Sequence, residues 1–569
     1  MISNYFLLYF SALIISFSIL GYGYLLSRII DKDLSSYNLG YQGLLGILFL
    51  TFISYLTIFF VKHGYIHNII VHIIGISSFL IYFKKKIFFT DIKKYIILFS
   101  ILFIGLLIIR NHDDFNYYHL TYSLGLTEHK IFIGLGQFGH GYKHHSSLFL
   151  FNSITFLPYI KYYLFHSLGW FTLVFVNYLI IDYLLFKNKK ELNFEYFFYL
   201  FLILFINIKF SRIGGYGTDL SSQMILMTIF PLIYSTLQID IKSKLFKSNL
   251  FVIILLITYT VTLKSFFIFS FLFLISFLLL YDFKKIFNIV IFNKTFIFSI
   301  TLILLLITVN LAYTGCAIYP VKSTCLSNEL SWALEKDHVG RMHNWYQQWA
   351  KSGASSTYRV ENPEEYIKGF NWVSNWFERY FLYKFKELII GLMFTIVIFL
   401  VLFRGSQKKI SDKKKWKSLL ILFIITLILF FEWFYNHPAL RYGGYHLVCI
   451  IFFIPVCYYL SQKKLLFINK KKIIISLICI SFLIFYIRNI ERINEEHRIV
   501  KENNFPLFFS PQQNFKKIEL EHKTNLYVPT DLSGCWAIST PCVYGVKNFI
   551  VDKKWGYKIF KKKKTIRND

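Results

Sequence analysis

Asp113 and Asp114 stand side by side at the end of an apolar run, with Tyr117, Tyr118 and His119 close behind. Two carboxylates entering one cleft repel each other, so one holds its proton and the other stays a competent base. Amphipathic aromatics and an imidazole beside them make a setting suited to sugar binding and proton transfer. The bland alternative is an exposed helix cap. The pair opens a polar island, Asn111 to Ser147, which holds six of the sixteen histidines of the chain. His140 and His144 are spaced as a metal pair would be on a helix, yet no tight zinc motif accompanies them. They read rather as interfacial histidines that hydrogen-bond the loop or a lipid phosphate. The run GLGQFGHG from Gly134 to Gly141 follows no strand, so it reads as a tight loop rather than a nucleotide-binding turn.

Three cations stand at the ends of other apolar runs: Arg212, Lys264 and Arg441. Converging, they would neutralise an anion such as a lipid phosphate; apart, they are ordinary snorkelling side chains. Trp345, Trp349, Trp372 and Trp376 lie among Glu361, Glu364, Glu365 and Glu378 in one long polar stretch. Aromatic platforms beside carboxylates suit carbohydrate, and tryptophan is also common in interfacial helices.

What must position these residues is a membrane domain. The chain has 569 residues, is 56% hydrophobic and has a mean hydropathy of +0.50. Runs such as Phe296–Leu311 and Leu420–Phe431 recur along most of it. They are continuous rather than alternating, which selects helices over a barrel. The first run, Phe6–Leu26, is too long for a signal-peptide core and reads as a retained span. The net charge of +31 would suit nucleic acid, but the lysines fall in short clusters between runs. These are Lys84–Lys86, Lys187–Lys190, Lys284–Lys285, Lys408–Lys415 and Lys463–Lys472, the mark of cytoplasmic loops. No nucleic-acid partner is expected.

The result is an all-α polytopic membrane protein of about 14 transmembrane helices, with limits near 5–27, 42–61, 66–83, 93–110, 162–186, 196–211, 220–237, 249–263, 265–282, 292–313, 386–403, 417–434, 445–460 and 472–488. The break between 263 and 265 is placed at Lys264, because a lone lysine at mid-bilayer is costly. The membrane domain spans 1–488. The island at 111–161, the long loop 314–385 and a tail 489–569 are expected outside. Close cysteine pairs on that side predict two disulfides, Cys316 with Cys325 and Cys535 with Cys542. Cys449, Cys457 and Cys479 lie in apolar runs and read as inert.

Asp113-Asp114, the Tyr-His pair and the Gly-Leu-Gly loop resemble a signature of uncharacterised bacterial membrane proteins of the GT-C superfamily type, polytopic glycosyltransferases often met with surface-polysaccharide functions. The resemblance is good over 110–160 and architectural elsewhere. Three helices precede the span leading to the acidic loop, where typical members have one. The resemblance implies transfer of a sugar from a polyprenyl-phosphate-linked donor to a cell-surface glycan or lipid acceptor, at the outer face of the inner membrane. It implies Asp114 as the catalytic base with Asp113 and His119 in support. Tyr118, His140, Arg212, Lys264 and Arg441 are the residues expected to bind substrate. No cofactor and no metal site are called for, with a divalent ion left open. The competing readings are a polysaccharide polymerase or ligase acting on lipid-linked sugars, and a transporter or flippase. The gathering of polar groups on one side, without a clear two-fold repeat, weighs against transport.

Overall fold

The computed structural model describes residues 2–86, 89–110, 114–186, 191–212, 218–354, 360–406, 413–501, 513–530, 534–543 and 548–563. Asp113 lies outside these residues, as do parts of the lysine-rich loops.

The apolar runs form helices because lipid offers the backbone no hydrogen-bond partner, so each segment must satisfy its own. In chain order these are α1 (Ile2–Ile30), α2 (Leu39–Thr57), α3 (Tyr65–Lys86), α4 (Phe89–Leu102), α5 (Leu120–Glu128), α6 (Ser147–Ile154), α7 (Ser167–Ile181), α8 (Phe194–Lys209), α9 (Thr218–Thr236) and α10 (Lys244–Leu263). Then follow α11 (Ile275–Leu280), α12 (Phe283–Ile291), α13 (Lys294–Thr314), α14 (Lys336–Lys351), α15 (Pro363–Ile367), α16 (Val373–Trp376), α17 (Lys386–Leu402), α18 (Lys413–Asn436), α19 (Gly444–Ser461) and α20 (Phe467–Val500). Ten helices among the described residues are long and apolar enough to cross a membrane. The chain is a mostly helical, multi-pass membrane protein.

The sequence predicts about fourteen crossings, and the difference lies in four segments. The helix for 93–110 has only 14 residues before it tightens into a 3-10 turn. The helix for 196–211 has 16 residues. The segment Ser265–Leu280 is apolar but short, and most of it is a 3-10 helix. The last of the four, α9, has Asp219 in its first turn and carries Ser221, Ser222, Gln223 and Pro231. The layering explains its polarity. The most apolar stretch of α10 is 89% buried inside the protein and that of the helix ending in α17 only 28%. Inner helices meet protein instead of lipid, so they tolerate hydroxyls and amides. Close approach in that interior uses glycine: a Cβ on Gly21 of α1 would sit 1.9 Å from the carbonyl oxygen of Gly75 on α3.

The described segments that flank the lysine-rich stretches meet at one end of the bundle. Asn38 donates to Asp182 at 2.9 Å, and Tyr178 reaches the backbone of Asp91. Leu192 pairs with Leu465 and Lys464 with Ser406 through backbone bonds. Tyr281 caps the end of α9 through Ile239, and Lys414 lies over the Tyr281 ring.

The island, the 314–354 and 360–385 stretches and the tail meet at the opposite end. Here the chain departs from all-α. Phe515–Leu520 (β1) pairs antiparallel with Thr524–Pro529 (β2), and Phe549–Lys554 (β3) with Tyr557–Lys562 (β4). The β3–β4 turn is Trp555-Gly556, both at positive φ, the two-residue geometry that suits a hairpin. The expected boundary after residue 488 falls inside α20, which runs unbroken to Val500 because Arg492 and Glu496 are buried together on one of its faces. The tail docks on the island: Glu128 accepts from the backbone and hydroxyl of Thr540, and Ile133 pairs with the β4 backbone. Cys316 is bonded to Cys325 and Cys535 to Cys542.

Candidate ion-cluster site

Asp219 occupies the first turn of α9, where the helix dipole favours a carboxylate. Two cations from distant parts of the chain close on it. Lys264 ends α10 in an extended conformation before the 3-10 helix begins, and its Nζ lies 3.1 Å from Asp219 Oδ1. Arg441 sits in the corner between α18 and α19, and its Nε donates to Asp219 Oδ2 at 3.1 Å. Asp219 is only 3% exposed, whereas the two cations keep about a third of their surface open, 30% and 33%. The corner is clamped from α9 by Gln223, one turn beyond Asp219. Its amide donates to the Arg441 carbonyl at 2.9 Å and its oxygen accepts from His446 N at 3.2 Å. Gly443 allows the bend with φ of 110°.

Aromatic rings floor the cluster. Arg441 lies 5.4 Å from the Tyr442 ring and 5.9 Å from Trp349, and Lys264 lies 5.1 Å from Tyr442. Burial by itself lowers the pKa of the Arg441 guanidinium, but Asp219, with Tyr442 and Asp114, more than reverses this and holds it charged.

The island packs beside this cluster. Asp114 is half-buried at the head of a π-helical turn, Phe115–His119. It acts electrostatically on Arg441, Tyr442, Tyr118 and His140. The His119 ring stands 4.4 Å from Tyr118 and 5.3 Å from Phe149, edge to face with each. Gly141 presses against Tyr118, where a Cβ would meet its ring at 2.1 Å. The amide of Gly134 is spent on the Ala312 carbonyl at 2.7 Å. Glycine in this loop therefore serves close packing at both positions.

His140 and His144 share one hydroxyl: Tyr346 OH is 3.3 Å from His140 Nδ1 and 2.7 Å from His144 Nε2. Burial lowers both pKa values. Lys143 adds to the effect at His140, and Lys264 and His140 add to it at His144, so both rings are neutral at pH 7. Among the described residues, no group of three or more His, Cys, Asp or Glu is placed to hold a metal ion.

The structure thus brings Asp114, Tyr118, His119, His140, Lys264 and Arg441 to one end and one neighbourhood. Arg212 is elsewhere, 3.7 Å from Glu496 on α20. Trp372 and Trp376 are buried and donate to the carbonyls of Gly369 and Pro438, so they are structural; Trp349 faces the cluster and Trp345 stands against His140. Sequence reading missed Asp219, Tyr442 and Tyr346. A signal existed for Asp219, a lone acid opening an otherwise acid-free apolar helix. A small cleft between the island and the tail, lined by Tyr122, Phe132, Phe138, Tyr142, Tyr313 and Cys542, shares no residue with the cluster.

A family model described as "Domain of unknown function (DUF8201)" matches residues 5–449, and the chain belongs to that family. The match includes Asp114, Asp219, Lys264 and Arg441 and stops before α20 and the tail. No curated protein and no solved structure matches the chain.

Proposed function

We propose that this member of the family is a glycosyltransferase of the inner membrane, moving a sugar from a polyprenyl-phosphate-linked donor to a cell-surface glycan or lipid acceptor. In this reading α4, α8, α9 and the Ser265–Leu280 segment also cross, giving fourteen spans. The lysine-rich end faces the cytoplasm and the ion cluster faces outward.

The observation that carries the reading is the convergence of Lys264 and Arg441 on Asp219, beside Asp114 and an aromatic floor. Asp219 aims the two cations; Arg441 Nε is occupied and its terminal nitrogens have no hydrogen-bond partner among the described residues. That leaves a fork suited to phosphate oxygens. Asp114 takes the proton of an acceptor hydroxyl. The oxygen attacks the anomeric carbon, the sugar–phosphate C–O bond breaks, and the lipid phosphate leaves with its charge met by Arg441 and Lys264. Trp349 and Tyr442 offer faces on which a sugar ring can stack.

The test is Asp114→Asn, assayed in membranes supplied with a radiolabelled polyprenyl-phosphate sugar and scored by label entering glycan or lipid. Loss of a general base costs about 10²–10⁴-fold. Asp113→Asn should do less. Label transfer at the native rate by both variants removes the carboxylate-base mechanism and favours a polymerase, a ligase or a flippase.

A further inference from the structure

A second group of cations gathers at the same end of the bundle, around the outer end of α8. Lys209 is the last residue of α8 and is partly buried, with its ammonium 5.3 Å from the Tyr445 ring. Arg488 on α20 reaches across and donates to the carbonyl of Ile208, which fixes it beside Lys209. Lys384, in the π-helical turn leading into α17, is the third cation in electrostatic reach of Lys209, and among the described residues Glu387 is the carboxylate in that reach. Three cations against one carboxylate leave a surplus of positive charge. The nearby Arg212 and Arg492 both point to Glu496 instead.

Among the described residues the Lys209 ammonium has no hydrogen-bond acceptor and no ion-pair partner, and Arg488 makes no bond beyond Ile208. A half-buried ammonium held beside two further, exposed cations, with Glu387 as the carboxylate in reach, is unfavourable. A phosphate would accept charge-assisted bonds from all three. Orientation signals do not account for the group, because it lies at the end opposite the lysine-rich loops. Below this rim the neighbouring helices turn large apolar side chains outward: Ile390, Met393 and Phe394 on α17, Leu483 and Ile487 on α20. Acyl chains are the natural neighbour of such faces.

We propose that the outer rim of the seam between α8, α17 and α20 docks the phosphate headgroup of an anionic membrane lipid, held by Lys209, Lys384 and Arg488. The proposal does not rest on glycosyl transfer. Tyr445 lies four residues beyond Arg441, so a lipid seated here stands next to the ion cluster.

The experiment uses the full chain in lipid nanodiscs, with Cys479→Ser removing the exposed free thiol and Ile487→Cys carrying a fluorophore; Cys449 and Cys457 are buried. The probes are brominated phosphatidylglycerol and brominated phosphatidylcholine. Phosphatidylglycerol should quench at a mole fraction at least tenfold lower than phosphatidylcholine. Lys209→Gln with Arg488→Gln should abolish the difference, while Lys284→Gln with Lys285→Gln at the other end should keep it. Equal quenching by the two lipids in the otherwise native chain overturns the proposal whatever the variants do. Complete loss of the preference in 10 mM inorganic phosphate also overturns it, since a free anion would then be the occupant.

Discussion

Asp219 should be the keystone of the ion cluster, and a double-mutant cycle measures this directly. Two unit charges about 4 Å apart attract by about 4 kcal/mol at an effective dielectric of about 20. The Lys264 and Arg441 contacts, both at 3.1 Å, fall in that range, but each cation keeps about a third of its surface open, so water screens part of the attraction. A coupling of about 1–2 kcal/mol for each pair is the expected remainder. Asp219→Asn leaves two cations around a neutral amide. Because they can rehydrate, the cost should be about 2–3 kcal/mol, at or below the low end for breaking a buried pair. Lys264→Met in the Asp219→Asn background should then cost much less than in the native chain. The measurement is equilibrium unfolding in mixed micelles by a denaturing detergent, followed by tryptophan fluorescence. Asp219→Asn with Lys294→Met, a lysine that begins α13 at the other end, should be additive within about 0.5 kcal/mol. A Lys264 coupling as small as that control would refute the keystone role.

Cysteines introduced into 84–95, 187–195, 284–290, 404–416 and 462–472 should be protected from an impermeant thiol reagent in intact cells. Labelling of 404–416 from outside would reverse the orientation and the proposed site with it. Peptide mapping without reductant should recover Cys316 joined to Cys325 and Cys535 joined to Cys542, each closing a short loop and contributing about 2–3 kcal/mol in the chain-entropy account; four free thiols would contradict the outward placement. Stability should fall on acidification through the Lys143–His338 contact, where the ammonium donates to the imidazole at 2.6 Å. Burial, with Lys143 and Arg341, pushes His338 down to about 4, against about 6.5 for an unfolded histidine. Between those values the unfolded chain binds a proton that the folded chain excludes. Stability is therefore complete above about pH 6.5 and declines toward pH 4. His338→Gln should flatten the decline between pH 7 and 5, and an unchanged profile would assign it to other groups.

Much of the membrane architecture was legible because it depends on local properties. Length and apolarity mark a span, and lysine clusters mark the loops that meet at one end. The break at Lys264 was legible for the same reason: a lysine in an apolar run has one inexpensive solution, a chain that turns toward water. Asp219 was not legible as a site, because its meaning depends on Lys264 and on Arg441, 222 residues further on. Arg212 looked equivalent to those cations in sequence, and only the fold shows it beside Glu496. The tail hairpins were missed although β3 and β4 flank a Trp-Gly turn. Long lysine runs mask alternation there, and both strands owe part of their burial to Phe132 and Phe138 of the island.

The same physics explains why the cluster stands where it does. A carboxylate in a lipid-facing helix is expensive, so α17 and α18 carry their acids toward their ends. The α9 helix escapes that constraint because α7, α8 and α10 pack around it and its core side chains are almost fully buried. Its polarity is thus permitted by its position. An inner helix that begins with an acid, next to an α10 that ends on a lysine, places two opposite charges at one level of the bundle without exposing either to hydrocarbon. Arg441 completes the set from the helix break opposite. A single-layer bundle could not build this group, since each member would face lipid. On this argument, exchanging Gln223 for leucine should loosen Arg441 rather than stabilise α9. The leucine would gain little in an already buried helix, while the Arg441 carbonyl and the His446 amide would each lose their partner. Faster hydrogen exchange at 439–446 with α9 protection unchanged is the expected result, and a tightened corner would count against the clamp.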